Sequence, residues 1–253
     1  MGLLDEKVLL VSGGTQGVGA AVARAAVREG ALVTISGRRR EVGEKMAADL
    51  GARFVAADVA DPAQALASVA AVVAEHGRID ALVNAAGLTD RGTLLDTTPE
   101  LFDRHVAVNL RGPFFTMQAA VADMVARGEP GSVVNVISSS EHGGQPYLAP
   151  YVAAKAGLAG LTRNAAHAHR FDRVRINGLD IGWTDTEGED ATQRAFHAAD
   201  DGWLAEAAAR LPMGKLGQAD EIADMVVFLL SDRSGVVTGS VIDWDQNVLG
   251  GLG

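Results

Sequence analysis

Short runs of consecutive apolar residues alternate along this chain with longer stretches whose apolar residues recur at helical spacing. The runs VLLV and SVVNVI are apolar almost throughout, as expected of strands that are covered on both faces of a sheet. The pattern predicts seven strands, at Val8–Val11, Leu32–Ser36, Phe54–Ala57, Ile79–Val83, Ser132–Ile137, Val174–Leu179 and Ser240–Trp244.

Helices are predicted between these strands. They span Val18–Glu29, Glu41–Leu50, Pro62–His76, Glu100–Ala126, Pro150–Arg170 and Asp220–Leu230. Gly30, Gly51 and Gly77 follow the first three helices and are typical helix ends. This alternation predicts an α/β fold: a doubly wound parallel sheet of the Rossmann type, with about seven strands and helices on both faces. Because no linker interrupts it, residues 1–253 are expected to form a single domain.

The stretch Thr184–Leu211 breaks this rhythm, since its pattern predicts no strand. Phe196 and Trp203 are seven residues apart, a spacing that would place them on one face of a helix. Two interpretations stay open: a lid over a polar, hydroxylated substrate, or a solvated helix with an apolar underside. For Glu141 and His142, a pocket position and a surface position are likewise both open.

Composition and charge narrow the classes of partner. The net charge of −10 argues against nucleic acid or an anionic membrane as a partner, and no apolar stretch approaches the ~20 residues of a membrane span. Cysteine is absent, which excludes disulfides and thiolate metal sites and fits a cytoplasmic setting. No metal site is expected, because His167 and His169 lack a convergent set of carboxylates.

A glycine-rich turn joins the first predicted strand to the first predicted helix. It reads Ser12-Gly13-Gly14-Thr15-Gln16-Gly17-Val18-Gly19. Glycines permit a tight turn and a close approach of backbone to a pyrophosphate, and the helix N-terminus supplies free N–H groups and a partial positive charge. The alternative is an ordinary glycine-rich turn without a ligand.

The glycine spacing and five further motifs occur together in one order. The motifs are Gly13-x-x-x-Gly17-x-Gly19, Asp58-Val59 after the third strand, Asn84-Ala85-Ala86-Gly87 after the fourth, Asn109 in the next helix, Ser138, and Tyr151-x-x-x-Lys155. Over the whole chain this set resembles the short-chain dehydrogenase/reductase family. The resemblance implies that a nicotinamide cofactor contacts Gly13, Thr15, Gln16, Gly17, Val18, Gly19, Arg38, Asp58, Val59, Asn84, Ala85, Gly87, Tyr151, Lys155, Gly182, Thr184 and Thr186.

The expected chemistry is hydride transfer between the cofactor and a carbonyl or alcohol carbon, with a proton moved at the oxygen. Tyr151 and Lys155 are four residues apart in a predicted helix and share one face, so we expect the lysine to lower the pKa of the phenol. Ser138 would hydrogen-bond the substrate oxygen. In the family, the catalytic serine usually lies thirteen residues before the tyrosine, and Ser139 is the second choice.

Asn109 is predicted to have a role through its carbonyl group. Pro113, four residues later, has no N–H to donate to that carbonyl and pushes it away. The resemblance implies a proton relay in which the Asn109 carbonyl holds a water that reaches Lys155. The alternative is a simple proline kink.

The sequence favours NADP(H) over NAD(H). At the end of the second strand, where family members that use NAD commonly have an acidic residue, Gly37 is followed by Arg38, Arg39 and Arg40. A guanidinium suits a 2′-phosphate. Against this, Gln16 stands where many NADP enzymes carry a basic residue, and the arginines would also suit the solvated start of a helix.

Two segments depart from the family pattern. The usual Pro-Gly after the sixth strand is Ile181-Gly182 here, which weakens the expected contacts of Thr184 and Thr186. The usual Val-Asp-Gly-Gly near the C-terminus ends in Gln246-Asn247, for which the sequence offers no chemical account.

We therefore expect a dehydrogenase or carbonyl reductase acting on a small, polar, sugar- or polyol-like substrate. A 3-oxoacyl-thioester reductase is the alternative, and a nucleotide-binding regulator without turnover is a further one. The resemblance also implies a homo-oligomer, a tetramer, assembled through the outer faces of the alanine-rich helices Glu100–Ala126 and Pro150–Arg170.

Overall fold

The computed structural model describes residues 2–248 and contains a parallel sheet of seven strands. These strands are β1 (Val8–Ser12), β2 (Leu32–Gly37), β3 (Arg53–Ala56), β4 (Ala81–Asn84), β5 (Gly131–Val136), β6 (Val174–Ile181) and β9 (Val241–Trp244), while β7 (Thr184–Asp185) and β8 (Gly217–Gln218) form a separate pair. Their order across the large sheet is β3-β2-β1-β4-β5-β6-β9, and each neighbouring pair is parallel. The order reverses beside β1, where β4 pairs with it, so the carboxyl ends of β1 and β4 flank the crevice in which such sheets bind ligands.

The helices lie on both faces of this sheet. They are α1 (Gly17–Arg28), α2 (Arg40–Leu50), α3 (Pro62–His76), α4 (Pro99–Val106), α5 (Gly112–Arg127), α6 (Ala149–His169), α7 (Glu187–His197), α8 (Trp203–Ala209) and α9 (Ala219–Leu230). Successive residues of β1 point to opposite faces. Leu9 and Val11 pack with α1 and α9, whereas Val8 and Leu10 pack with α3 and α5. The predicted doubly wound fold is confirmed.

The prediction of one uninterrupted α-helix over Glu100–Ala126 is wrong. Residues Ala107–Arg111 form a π-helical turn that separates α4 from α5. Pro113 explains the interruption, because a residue without an N–H cannot continue the α-helical bonding pattern through Asn109. The wider turn, closed by the Gly112 N–H on the Ala107 carbonyl, admits the proline without ending the helical run.

The predicted absence of a strand in Thr184–Leu211 is also wrong. Strand β7 lies at the start of this stretch and pairs in parallel with β8. Phe196 and Trp203 do not share a helix face, because α7 ends at His197 and Trp203 begins α8. After β7, the stretch is therefore two short helices joined by a loop.

The remaining boundaries of the predicted elements agree with the structure to within two residues, and those of α3 agree at both ends. Gly51 and Gly77 end α2 and α3 in the left-handed region, at φ values of 66° and 73°, as their positions predicted. Within residues 2–248, no helix has the length and apolar character required to cross a bilayer.

Candidate active site

A cavity of about 1250 Å³ opens at the carboxyl edge of the sheet. Most of the sequence-predicted site residues line it: Gly13, Thr15, Gln16, Gly17, Val18, Gly19, Arg38, Asp58, Val59, Ala85, Gly87, Ser138, Tyr151, Lys155, Gly182, Thr184 and Thr186. Asn84 and Asn109 are the two predicted site residues that the structure places behind the cavity wall. One continuous space thus joins the glycine turn to the Tyr151–Lys155 pair.

The glycine turn packs so closely that side chains would not fit. A Cβ on Gly13, whose φ is +81°, would lie 2.4 Å from the Ala86 backbone nitrogen. A Cβ on Gly19 would lie 2.2 Å from the Gly13 carbonyl oxygen. The Gln16 side chain does not cap the N-terminus of α1. The first turn of α1 therefore faces the cavity as an anion-binding helix end.

The three consecutive arginines separate into different environments. Arg38 and Arg39 line the cavity, and the Arg39 guanidinium donates a hydrogen bond to Gln16 Oε1. Arg40 begins α2 and pairs with Glu44 at 3.1 Å, one helical turn later. The solvated-helix interpretation thus fits Arg40, and the ligand interpretation fits the other two.

Asp58 and Val59 lie on the wall near the β3 end of the sheet. The Asp58 carboxylate accepts a hydrogen bond from the Ala60 N–H at 3.0 Å, which closes a tight turn. Asn84, by contrast, is buried. Its amide donates to Asn135 Oδ1 at 2.9 Å, and its oxygen accepts from the Thr116 hydroxyl at 2.7 Å. Asn84 thus joins β4 to β5 and α5, and supports the cavity from behind.

Tyr151 and Lys155 face the cavity from the first turns of α6. The Lys155 ammonium lies 5.6 Å from the centre of the Tyr151 ring and donates to the Val136 carbonyl at 2.8 Å. The Ser138 hydroxyl donates to Ser140 Oγ at 3.1 Å. Ser139 also lines the cavity, but the hydrogen bond to the Tyr151 side chain comes from Ser138.

Burial determines the protonation of this pair. Desolvation raises the pKa of Tyr151 to about 12, while hydrogen bonding with Ser138 acts in the opposite direction. Desolvation likewise lowers the pKa of Lys155 to about 8. The expected lowering of the tyrosine pKa is therefore not found in the protein alone, because desolvation is the largest effect and the nearby charges of Asp180 and Glu189 act in the same direction.

Asn109 is fully buried in the π-helical turn, and its side chain holds a loop. Oδ1 accepts from the Leu88 N–H, and Nδ2 donates to the Leu88 carbonyl, each at 3.0 Å. Nδ2 also lies 3.2 Å from Nδ1 of His105. These bonds position the segment after β4, which sequence reasoning did not foresee. The relay through the Asn109 carbonyl stays a prediction.

The wall beyond Tyr151 is made largely of residues to which the sequence assigned no individual role. They come from four separate segments: Arg91, Gln145, Trp183, Glu189, Gln193, His197, Leu211 and Gln246. Glu189, Gln193 and His197 are spaced four apart and form the polar face of α7 toward the cavity. Their four-residue spacing was the one feature of the sequence that could have indicated this polar face.

Gln246 has a structural explanation after all. Its side-chain oxygen accepts from the Met213 N–H at 2.8 Å, and its amide donates to the Lys215 carbonyl at 2.7 Å. It therefore joins the loop after α8 to the end of β9. Asn247 donates to the Asp245 carboxylate at 3.0 Å.

Glu141 and His142 do not line the cavity. They lie in the 3₁₀ turn that follows Ser138 and face Asp180 of β6, on the far side of the cavity wall. The surface interpretation fits His142, which is exposed, whereas the Glu141 side chain is largely buried. Both side chains form a cluster with the buried Asp180.

Comparisons with known proteins show which family has this fold and this site. A family model described as enoyl-(acyl carrier protein) reductase matches residues 13–247. A solved structure described as a short chain dehydrogenase/reductase family protein is 38% identical, covers 96% of this chain and 97% of its own, and superposes with a TM-score of 0.83. The chain belongs to the short-chain dehydrogenase/reductase family.

Two curated relatives are dehydrogenases that act on different substrates. A sorbitol dehydrogenase of Cereibacter sphaeroides is 32% identical, with 96% of this chain and 97% of that protein aligned. A 3-alpha-(or 20-beta)-hydroxysteroid dehydrogenase of Mycobacterium bovis is 34% identical, with 99% and 92% aligned. The protein is therefore an oxidoreductase of the short-chain dehydrogenase/reductase type, a family that uses NAD(P)(H).

Proposed function

We propose that this protein is an NADP(H)-dependent alcohol dehydrogenase or carbonyl reductase. The observation that carries the proposal is the single cavity that contains both the glycine turn and the Tyr151–Ser138–Lys155 group. When bound, the nicotinamide supplies or accepts the hydride. Tyr151 gives a proton to the substrate oxygen during reduction and removes it during oxidation. Ser138 hydrogen-bonds that oxygen. Lys155 and the Asn109 carbonyl form the proton relay that serves Tyr151.

Arg38 and Arg39 support NADP(H) over NAD(H). Both lie at the end of β2, beside the glycine turn, where the adenosine ribose is expected. Arg39 is partly engaged by Gln16, whereas Arg38 forms no ion pair within the described residues. We assign the 2′-phosphate to Arg38, because a guanidinium binds phosphate oxygens in bidentate fashion.

The substrate class we propose is a small, hydroxylated ketone or alcohol of sugar or polyol type. Hydrogen-bonding groups from Gln145, Gln193 and His197 surround the space beyond Tyr151 and suit several hydroxyl groups. The similarity to a sorbitol dehydrogenase agrees with this class. We further propose that residues 1–253 act as one domain whose segment 184–211 serves as a lid.

The alternative, a 3-oxoacyl-thioester reductase, would need free basic residues for an acidic carrier. Arg127, at the loop before β5, is instead paired with Asp123 at 2.8 Å and with Asp80 at 3.5 Å. The net charge of −10 also opposes docking of an acidic partner.

A second candidate is a hydroxylated substrate that carries an anionic group. Arg91 lies in the cavity wall over Tyr147 and Phe196, with its guanidinium carbon 5.2 and 5.8 Å from the two ring centres. It has no carboxylate partner within residues 2–248, and its buried Nε has no hydrogen-bond acceptor there. A carboxylate on the substrate would give the Arg91 guanidinium the anionic partner that it lacks.

The test is hydride transfer monitored at 340 nm. The substrates are neutral polyols, sugars, hydroxy acids and a 3-oxoacyl thioester, each measured with NADP(H) and NAD(H). We expect turnover of neutral polyols or sugars with NADP(H). Turnover confined to hydroxy acids would favour the Arg91 candidate, and turnover of the thioester would contradict the substrate class. Cofactor binding without turnover of any substrate would favour a regulator.

We also propose a cytoplasmic homotetramer without nucleic acid or membrane partners. The outward faces of α5 and α6 carry uncharged, mostly small or apolar residues over most of their length: Phe114, Gln118, Ala122 and Val125 on α5, and Ala153, Ala156 and Gly160 on α6. Small residues allow two helices to approach closely. A second copy of the same two helices fits such a surface in a two-fold arrangement.

A further inference from the structure

Asp180 is the most unusual buried group in this protein. It lies near the end of β6 and is 1% exposed, and neither of its carboxylate oxygens has a hydrogen-bond partner of good geometry within the described residues. An ionised carboxylate without compensation is costly inside a protein. The surroundings of Asp180 should therefore contain something that compensates its charge.

The groups around Asp180 are acidic as well. His142 Nε2 lies 3.0 Å from Asp180 Oδ2, 3.7 Å from Glu141 Oε1 and 3.5 Å from Asp243 Oδ1. The Glu141 side chain is 6% exposed, and Arg163, at 3.7 Å, is its one permanently cationic neighbour in the described part of the chain. Three carboxylates thus converge on one imidazole and one guanidinium, which leaves an excess of negative charge.

The distances match those between ligands of a metal ion. Zn²⁺ binds histidine nitrogen and carboxylate oxygen at about 2.0–2.2 Å in tetrahedral geometry, which places neighbouring ligand atoms roughly 3.3 Å apart. Single ligand atoms of Glu141, His142 and Asp180 all lie within 4.8 Å of one another. The imidazole favours a transition metal over Mg²⁺ or Ca²⁺. Asp243 lies within reach of the fourth position.

We propose that Glu141, His142 and Asp180 form a binding site for one divalent transition-metal ion, with Zn²⁺ as the best-fitting ion. The ion neutralises the excess charge and gives Asp180 the partner that it lacks. This departs from the sequence-based expectation of no metal, which considered only His167 and His169. Asp180 lies far in sequence from the other two ligands, so their convergence depends on β5 and β6 being neighbours.

The proposed metal site lies behind the active-site wall and connects two segments of that wall. Glu141 and His142 belong to the turn that Ser138 begins, and Asp180 belongs to β6, next to the segment that carries Gly182. A metal ion would therefore fix the Ser138 turn to the strand beside it. Its role is positioning, because none of the three ligands lines the cavity.

The experiment is metal binding by the full-length protein after treatment with EDTA and removal of the chelator. Isothermal titration with ZnCl₂, and with MgCl₂ for comparison, should give one Zn²⁺ per chain and weaker Mg²⁺ binding. Asp180→Asn and His142→Gln should each weaken Zn²⁺ binding by more than about tenfold. His169→Gln and Asp172→Asn are matched controls, because they alter a His–Asp pair at 2.8 Å elsewhere on the protein.

Thermal unfolding supplies a second readout. In EDTA, Asp180→Asn should unfold at the same temperature as the parent or higher, because it removes an unpartnered buried charge. With Zn²⁺, the parent should become the more stable of the two. No saturable Zn²⁺ binding, tighter Mg²⁺ than Zn²⁺ binding, or equal binding by the parent, Asp180→Asn and His142→Gln would overturn the proposal. If Asp180→Asn fails to fold, His142→Gln alone decides.

Discussion

At the scale of single residues, the proposed chemistry depends first on the Tyr151 hydroxyl. Tyr151→Phe should leave folding and cofactor affinity nearly unchanged and reduce turnover by about 10²–10⁴-fold, the usual contribution of a positioned acid or base. The measurement is steady-state turnover together with cofactor binding by fluorescence. Turnover within twofold of the parent would remove Tyr151 from the mechanism.

The raised pKa of Tyr151 predicts opposite pH dependences for the two directions. At neutral pH the phenol is protonated, which suits reduction, whereas oxidation needs the phenolate. Because the phenolate fraction grows about tenfold per pH unit below the pKa, kcat/KM for alcohol oxidation should rise between about pH 6 and pH 9. Ketone reduction should stay nearly level. A flat oxidation profile would contradict this assignment.

Arg38 determines cofactor preference in our proposal. Arg38→Ala should weaken NADPH binding by roughly 10- to 150-fold, the equivalent of ~1.5–3 kcal/mol, and NADH binding much less. Arg40→Ala is the matched control, because Arg40 pairs with Glu44 and does not line the cavity. Equal losses for both cofactors in Arg38→Ala would exclude the 2′-phosphate role.

At the scale of elements, α7 is held over the cavity by two tryptophans. The Trp203 indole donates to Asp190 of α7 at 2.7 Å and stacks on Trp183, with ring centres 6.1 Å apart. Every residue of α7 is at least partly exposed, so the helix has no side chain anchored in the core. Its position should therefore be sensitive to Trp203.

Trp203→Leu removes both the hydrogen bond and the stack, and Trp203→Phe removes only the hydrogen bond. We expect Trp203→Leu to raise the substrate KM several-fold, with a smaller change in kcat, and to speed hydrogen exchange in α7. Trp203→Phe should fall between it and the parent. Phe171→Leu, at an exposed position away from the cavity, is the control. Unchanged KM and exchange in Trp203→Leu would remove the lid role.

Local spacing explains what the sequence predicted correctly. The apolar runs determine the strands, the glycines after β1 can be recognised without a structure, and Tyr151 and Lys155 share a helix face by their separation alone. The π-helical turn was missed because Pro113 indicates an interruption but not its type. Arg91, Gln246 and Asp180 were missed because each acts through partners from distant segments. The pKa of Tyr151 was predicted in the wrong direction, because the spacing of residues in the sequence does not show how deeply the phenol is buried.

At the scale of the whole molecule, the prediction concerns assembly through α5 and α6. Light scattering should give a mass that is a multiple of the 26.2 kDa chain, near fourfold, and dilution to monomer should reduce activity. Ala122→Arg should break the assembly by placing a charge in the α5 surface. Leu95→Arg, at a position that is 96% exposed and outside these helices, should not. A fully active monomer would refute the prediction.

The π-helical turn at Ala107–Arg111 fits one more residue into about the same rotation as an α-helical turn. The faces that α4 and α5 present are therefore the ones that an unbroken α-helix one residue shorter would present. A chain that lacks one residue of this turn should keep Thr116 and Met117 against the sheet by returning to regular α-helical bonding. One residue lost within α5, by contrast, would rotate everything after it by about 100°. Related chains should therefore vary in length at this turn far more readily than inside the helix that follows it.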